Sequence, residues 1–201
     1  MTPALSSSDA FAYVIVAVLG FIILRRAYFL TQGTRVSTGR LVILPIFYLL
    51  IYAAELAATG FAGAGSSAAT PVYLSFVGDG ALVVAGVFLA FQYTLRHLTI
   101  YQRPGETAWS YRMNALLPVI YVVLFFVRVA IETALLGEGP FTFPAPGALD
   151  GISAFALYSL LAVNALWGLS TGFLIGRSAA VYREWQQHLA SPGSSAAPLP
   201  P

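Results

Sequence analysis

Four ionisable side chains stand inside long apolar runs of this 201-residue chain: Glu55, Asp79, Arg128 and Glu132. Each costs about 3 kcal/mol or more to hold at bilayer depth, so each is expected to have a partner or a task. Three acids against one arginine leave a formal charge of −2 among the four. Two uncompensated carboxylates do not both stay ionised in lipid, and at least one is expected to carry a proton or to be neutralised by a cation. A proton-coupled transport site or a cation site has this composition. The competing reading is structural. Arg128 then pairs with Glu132 on its own helix and with Glu55 or Asp79 across the bundle, and fixes helices to one another.

The spacing around these residues is helical. Tyr48, Tyr52, Glu55 and Thr59 follow a 4–3–4 pattern, which is one face of a helix. Asn114, Tyr121 and Arg128 recur every seven residues, and Glu132 extends that stripe by four. Asp79 is flanked by Gly78 and Gly80, small residues expected to admit a neighbouring helix or a water. Asn164 is the remaining polar group at the centre of an apolar run. The expected buried polar site is therefore Tyr52, Glu55, Asp79, Arg128, Glu132 and Asn164, binding or relaying a proton, a cation or a small polar solute.

Composition fixes the setting. The chain is 58% hydrophobic and 9% charged, against about 25% charged in a soluble domain. A water-facing surface cannot be covered with so few charges. There is no cysteine, which removes disulfides, thiolate metal sites and cysteine nucleophiles together. Only two histidines occur, His97 and His188, both in segments read as cytoplasmic, so a bis-histidine haem within the bilayer is excluded. No metal or cofactor site is read from the sequence. No HExxH, Gly-x-Ser-x-Gly or Asp-rich diphosphate motif is present, and no catalytic residue is assigned. An acid–base enzyme working with carboxylates and tyrosines alone is the weakest of the functional readings.

Five apolar runs are long enough to cross a bilayer as helix, at roughly 20 residues each: 10–30, 41–60, 72–95, 113–136 and 152–175. They are continuous rather than alternating, which argues against barrel strands. Arg25 and Arg26 interrupt the inner end of the first, where long stems can snorkel to the headgroups. Nine of the ten arginines fall on one side of this arrangement, and Arg128 is the exception. The positive-inside rule makes that side cytoplasmic. The fold expected is an all-α membrane protein, a compact five-helix bundle with its N-terminus outside and its C-terminus inside. In that topology all four ionisable residues lie in the outer half of the bilayer, within roughly one helical turn of depth. The same arginines beside membrane spans remove any need to invoke nucleic acid.

Residues 1–190 read as one polytopic membrane domain and 191–201 as a disordered tail. The connection 61–71 is expected to be a mobile loop of small residues, and 137–151 an apolar interfacial loop, with a lid as the alternative. Residues 177–189 are expected to prolong the fifth helix, with Val181, Trp185 and Leu189 on an interfacial face. Gly168, Gly172 and Gly176 form a repeated small-xxx-small pattern. It serves either packing inside the bundle or a homodimer or partner subunit. A non-catalytic accessory subunit of a larger membrane complex is accordingly the second functional reading. The expected partner throughout is the lipid bilayer, and the expected location the plasma (cell) membrane.

Overall fold

A computed structural model of the chain describes residues 7–136, 149 and 153–190, with side chains omitted at 7–13, 15, 16, 19, 23, 26, 121, 125, 128, 129 and 131–136. Five helices account for most of it: α1 (Ser7–Gln32), α2 (Thr38–Gly63), α3 (Ala69–His97), α4 (Leu116–Leu136) and α5 (Ala154–Ala190). Among the described residues, α2, α3 and α5 are each long and apolar enough to cross a membrane. Their burial is inverted relative to a soluble protein. Val77, Ile43, Val84 and Phe155 point outward, while Asp79, Asn164, Thr171 and Thr59 are buried. Such a surface is satisfied by hydrocarbon and not by water.

α5 is the central helix. It packs most extensively on α3 and also on α2 and α4, while α1 lies against α4. The α3–α5 seam explains the glycine pattern. A Cβ at Gly172 would strike the carbonyl of Val83, one at Gly176 the carbonyl of Val87, and one at Gly86 the carbonyl of Leu169. Backbone meets backbone there, which only glycine allows. The pairs 79/168, 83/172 and 87/176 advance together, so α3 and α5 run parallel. α2 runs against them, since Tyr48 stacks on Trp167 and Thr59 meets Asn164. The glycine face is thus filled from within the chain by α3.

The end of the bundle where α1 meets α2 and α3 meets α4 departs from the all-helical expectation. β1 (Thr34–Arg35), β2 (Leu98–Gln102) and β3 (Trp109–Met113) form a small antiparallel sheet in the order β1-β3-β2. β2 follows α3 directly, and Met113, expected at the start of the fourth helix, is instead the last residue of β3. The strands are joined by an Arg103–Glu106 turn closed by Glu106 N–H donating to Arg103 O at 2.9 Å. Pro104 sits second and Gly105 third in it, with φ +78, the geometry of a type II turn. Alternation in β3 buries Tyr111 and Met113 with Leu30, Leu41, Leu117, Phe173 and Val181 in a core under the sheet.

Two further expectations change. The connection between α2 and α3 is only residues 64–68 and is tied down rather than loose. Ser66 N–H and Ser66 Oγ both donate to Gly63 O, at 3.1 and 2.7 Å, and Ala69 N–H donates to Ser66 O. Ala62, Ala68 and Val72 are buried there against Leu149, Leu157 and Leu161. α5 does continue to Ala190, but Val181 belongs to the core under the sheet and not to an interfacial face. The connection 137–151, expected as an interfacial loop with a lid as the alternative, lies outside the described residues apart from buried Leu149, and so does the tail 191–201.

Candidate functional site

Four of the six residues read as the polar site come together where α2, α3 and α5 meet. On α2, Pro45, Tyr52 and Thr59 are buried toward the bundle and Glu55 is half-buried. The 4–3–4 stripe is therefore a real inward face, because every third or fourth residue returns to the same side of a helix. On α5, Asn164 and Gly168 are one turn apart on the face that meets both other helices. Asn164 Nδ2 donates to Thr59 Oγ1 at 3.2 Å, and Thr59 Oγ1 donates in turn to Glu55 O at 2.9 Å. Asn164 thereby joins α5 to α2 through a neutral bond.

Asp79 enters from α3 and is only 2% exposed. Its Oδ2 has no hydrogen-bond partner among the described residues, and neither does the buried hydroxyl of Tyr52. Both carboxyl groups, Asp79 and Glu55, lie within electrostatic reach of that hydroxyl. Tyr52 is seated by the absence of a side chain at Gly168: a Cβ there would lie 2.7 Å from Tyr52 Oη and 3.3 Å from the carbonyl of Asp79. Gly168, read from sequence as packing alone, also makes room for the phenol.

The glycines beside Asp79 do not have the role expected of them. Nothing lies within 4 Å of a Cβ built at Gly78 or Gly80, and both are exposed. Neighbours in sequence diverge by about 100° around a helix, so they face away from the seam that buries Asp79. The small residue that does admit α5 on this face is Gly86, seven positions on. Thr171, which in sequence stands beside the glycine pattern of α5, joins this buried polar face. It lies two turns along from Asn164 on the same face, about 10 Å along α5, fully buried and with no hydrogen-bond partner for its hydroxyl among the described residues. The signal was present as the spacing of seven from Asn164.

Arg128 and Glu132 occupy α4, which packs on α5 and α1, but their side chains lie outside the described residues, as does the pairing expected for Arg128. The ion pair between Arg35 Nη2 and Glu106 Oε1, at 3.0 Å, is far from this site, at the edge of the sheet.

Chemically, the site offers carboxyl, phenol, hydroxyl and amide groups and no soft ligand. Among the described residues no three His, Cys, Asp or Glu side chains converge. Two carboxyls with neutral oxygens suit a proton or a weakly held cation better than a divalent metal, which takes six or more oxygen ligands or a fixed tetrahedral set. The chain matches no family model, no curated protein and no solved structure.

Proposed function

We propose that this chain is an integral protein of the cell membrane that crosses the bilayer five times, with its N-terminus outside. Its outer-half site, formed by Tyr52, Glu55, Asp79 and Asn164, binds or relays a proton, a cation or a small polar solute. The observation that supports this most is Asp79: a carboxyl sealed between two helices, with an oxygen unpartnered and an unpartnered phenol close by. A buried acceptor left unmade costs about 1–3 kcal/mol, more when charged. A residue kept only to join helices would be satisfied or apolar; one that exchanges a proton or cation needs spare valence.

The topology rests on arginines. Arg25, Arg35, Arg40, Arg103 and Arg177 gather at the end carrying the sheet, and the alternating helix directions of α2, α3 and α5 agree with successive crossings. Cysteines placed at Ser67 and Thr107 test it: outside reagent should label the first and not the second, and the reverse overturns the orientation.

Function is tested in vesicles holding purified protein and an entrapped pH dye, with ionic gradients imposed across the membrane. The wild type should pass protons, alone or coupled to a cation, and Asp79→Asn should not. Equal flux from both removes Asp79 from any relay. A chain that passes nothing and purifies at fixed stoichiometry with a larger membrane complex is instead an accessory subunit.

A further inference from the structure

Beneath the sheet, between the inner end of α1, the start of α2 and α5, lies a cavity of about 840 Å³. Five arginines line it: Arg25 from α1, Arg35 from β1, Arg40 from the first turn of α2, Arg103 from the β2–β3 turn and Arg177 from α5. Among the described residues lining it, none is acidic. The positive-inside rule asks for arginines on this side of the membrane. It does not ask for five, from five separate elements, to face one cavity. Like charges so gathered repel, and an anion among them relieves that repulsion, as the Glu106 carboxylate does for Arg35 at the sheet edge, at 3.0 Å.

Neutral contacts hold two of these guanidinium groups in place. Arg103 Nη2 donates to Gly33 O at 3.1 Å, and Arg25 lies 5.4 Å from the centre of the Phe29 ring. Gly33 itself has φ +105, and a Cβ there would strike the Tyr101 hydroxyl, so the cavity rim is a position that only glycine fills without strain. Arg177 is 2% exposed and lines the cavity from the central helix. The remaining wall is mainly apolar, with Thr34, Ser37 and Tyr111 as its polar members. Phe21 and Ile22 lie further out along α1, on its exposed surface, and line the same cavity. An arginine-rich end at the membrane surface thus continues into a wall at hydrocarbon depth. The volume is within the roughly 300–1,000 Å³ usual for small-molecule sites.

We propose that this cavity is a phosphate-binding site at the cytoplasmic membrane surface. Arginine forks match phosphate oxygens two at a time, and basic pockets between helices on this side suit anionic headgroups. The phosphate is presented by an anionic phospholipid, with a chain along Phe21 and Ile22, or by a soluble phosphate compound. The site shares no residue with the outer polar site, so either stands or falls without the other.

Native mass spectrometry of the full chain in neutral detergent tests this, with phosphatidylglycerol, phosphatidylcholine and inorganic pyrophosphate as probes. The chain should retain phosphatidylglycerol over phosphatidylcholine. Arg40→Gln and Arg103→Gln, both at exposed residues, should each weaken retention about fivefold, the share of one basic residue at an anionic surface. Arg183→Gln should leave it unchanged, since Arg183 lies on the same side but against Phe91 and outside the cavity. Glu106→Gln, which removes the carboxylate on Arg35, should strengthen retention by a similar factor, a gain that misfolding cannot mimic. Pyrophosphate bound with this same variant pattern, in place of lipid, identifies a soluble phosphate and upholds the site. Equal retention of both lipids with no pyrophosphate bound, or an Arg183→Gln loss as large as that of Arg40→Gln, overturns the proposal.

Discussion

Replacing Gly176 by alanine adds one methyl group to α5 where α3 crosses it, and the structure gives the size of the insult. The new Cβ would sit 2.8 Å from the carbonyl carbon of Val87 and 2.9 Å from its Cα, closer still to the oxygen. Carbon atoms rest at about 3.5–4.0 Å, so α3 must retreat by roughly 0.7 Å or more at this point. No rotamer change relieves the clash, because every atom met is backbone. Overpacking of this kind costs about 1–3 kcal/mol, and the rigidity of the partner places Gly176→Ala near 3. Gly172→Ala pushes on the same helix through Val83 and should cost nearly as much. The two lie one turn apart and are relieved by the same displacement, so the double variant should cost well below the sum. Gly80→Ala is the control. Its Cβ meets nothing within 4 Å, and alanine over glycine in a helix gains up to about 1 kcal/mol. Reversible unfolding in mixed micelles with rising dodecyl sulfate reads the difference. If Gly176→Ala and Gly80→Ala are equally stable, α3 is not seated on α5 and the placement of Asp79 fails with it.

Asp79→Asn should raise stability by about 1 kcal/mol in the same unfolding assay, since the amide can use the unpartnered Tyr52 hydroxyl; a loss above 2 kcal/mol would show a structural ion pair instead. Gly168→Ala should cost less than Gly176→Ala, because the Tyr52 ring tip it meets can move, yet it should impair vesicle flux by displacing that hydroxyl. Asn164→Leu removes the donor to Thr59 and should destabilise by about 1–2 kcal/mol, measured against Thr59→Val, with the double variant recovering part of the loss. Arg35→Gln should change stability by under about 1 kcal/mol, because the pair with Glu106 is partly solvated.

Much of this arrangement was legible in residue order. Continuous apolar runs announce helices, and the stripe of Tyr52, Glu55 and Thr59 announces which side of α2 turns inward, because a period of 3.6 leaves little freedom once the polar side is known. The glycines of α5 announce a close crossing, but not its partner; that depends on Gly86 and on the carbonyls of Val83 and Val87, backbone groups with no sequence signature. Gly78 and Gly80 misled because adjacency to Asp79 in sequence means divergence on the helix. The sheet was hidden by its position. Leu98–Gln102 and Trp109–Met113 border long apolar helices and are only five residues each, so the helical signal ran over Met113, although Pro104–Gly105 marks the turn between them. For the arginines of the cavity beneath the sheet, the positive-inside rule predicts a shared side of a membrane and says nothing of their convergence.

The most direct measurement is the infrared difference spectrum of purified protein in lipid, recorded on a pH jump and on addition of sodium or potassium ions. The carboxyl stretch of Asp79 is identified by its loss in Asp79→Asn. A band at Asp79 that changes with pH or with the added cation is what the account predicts. A band that answers to none of them would mean that Asp79 is a fixed structural group, and would contradict the outer polar site as a place of exchange.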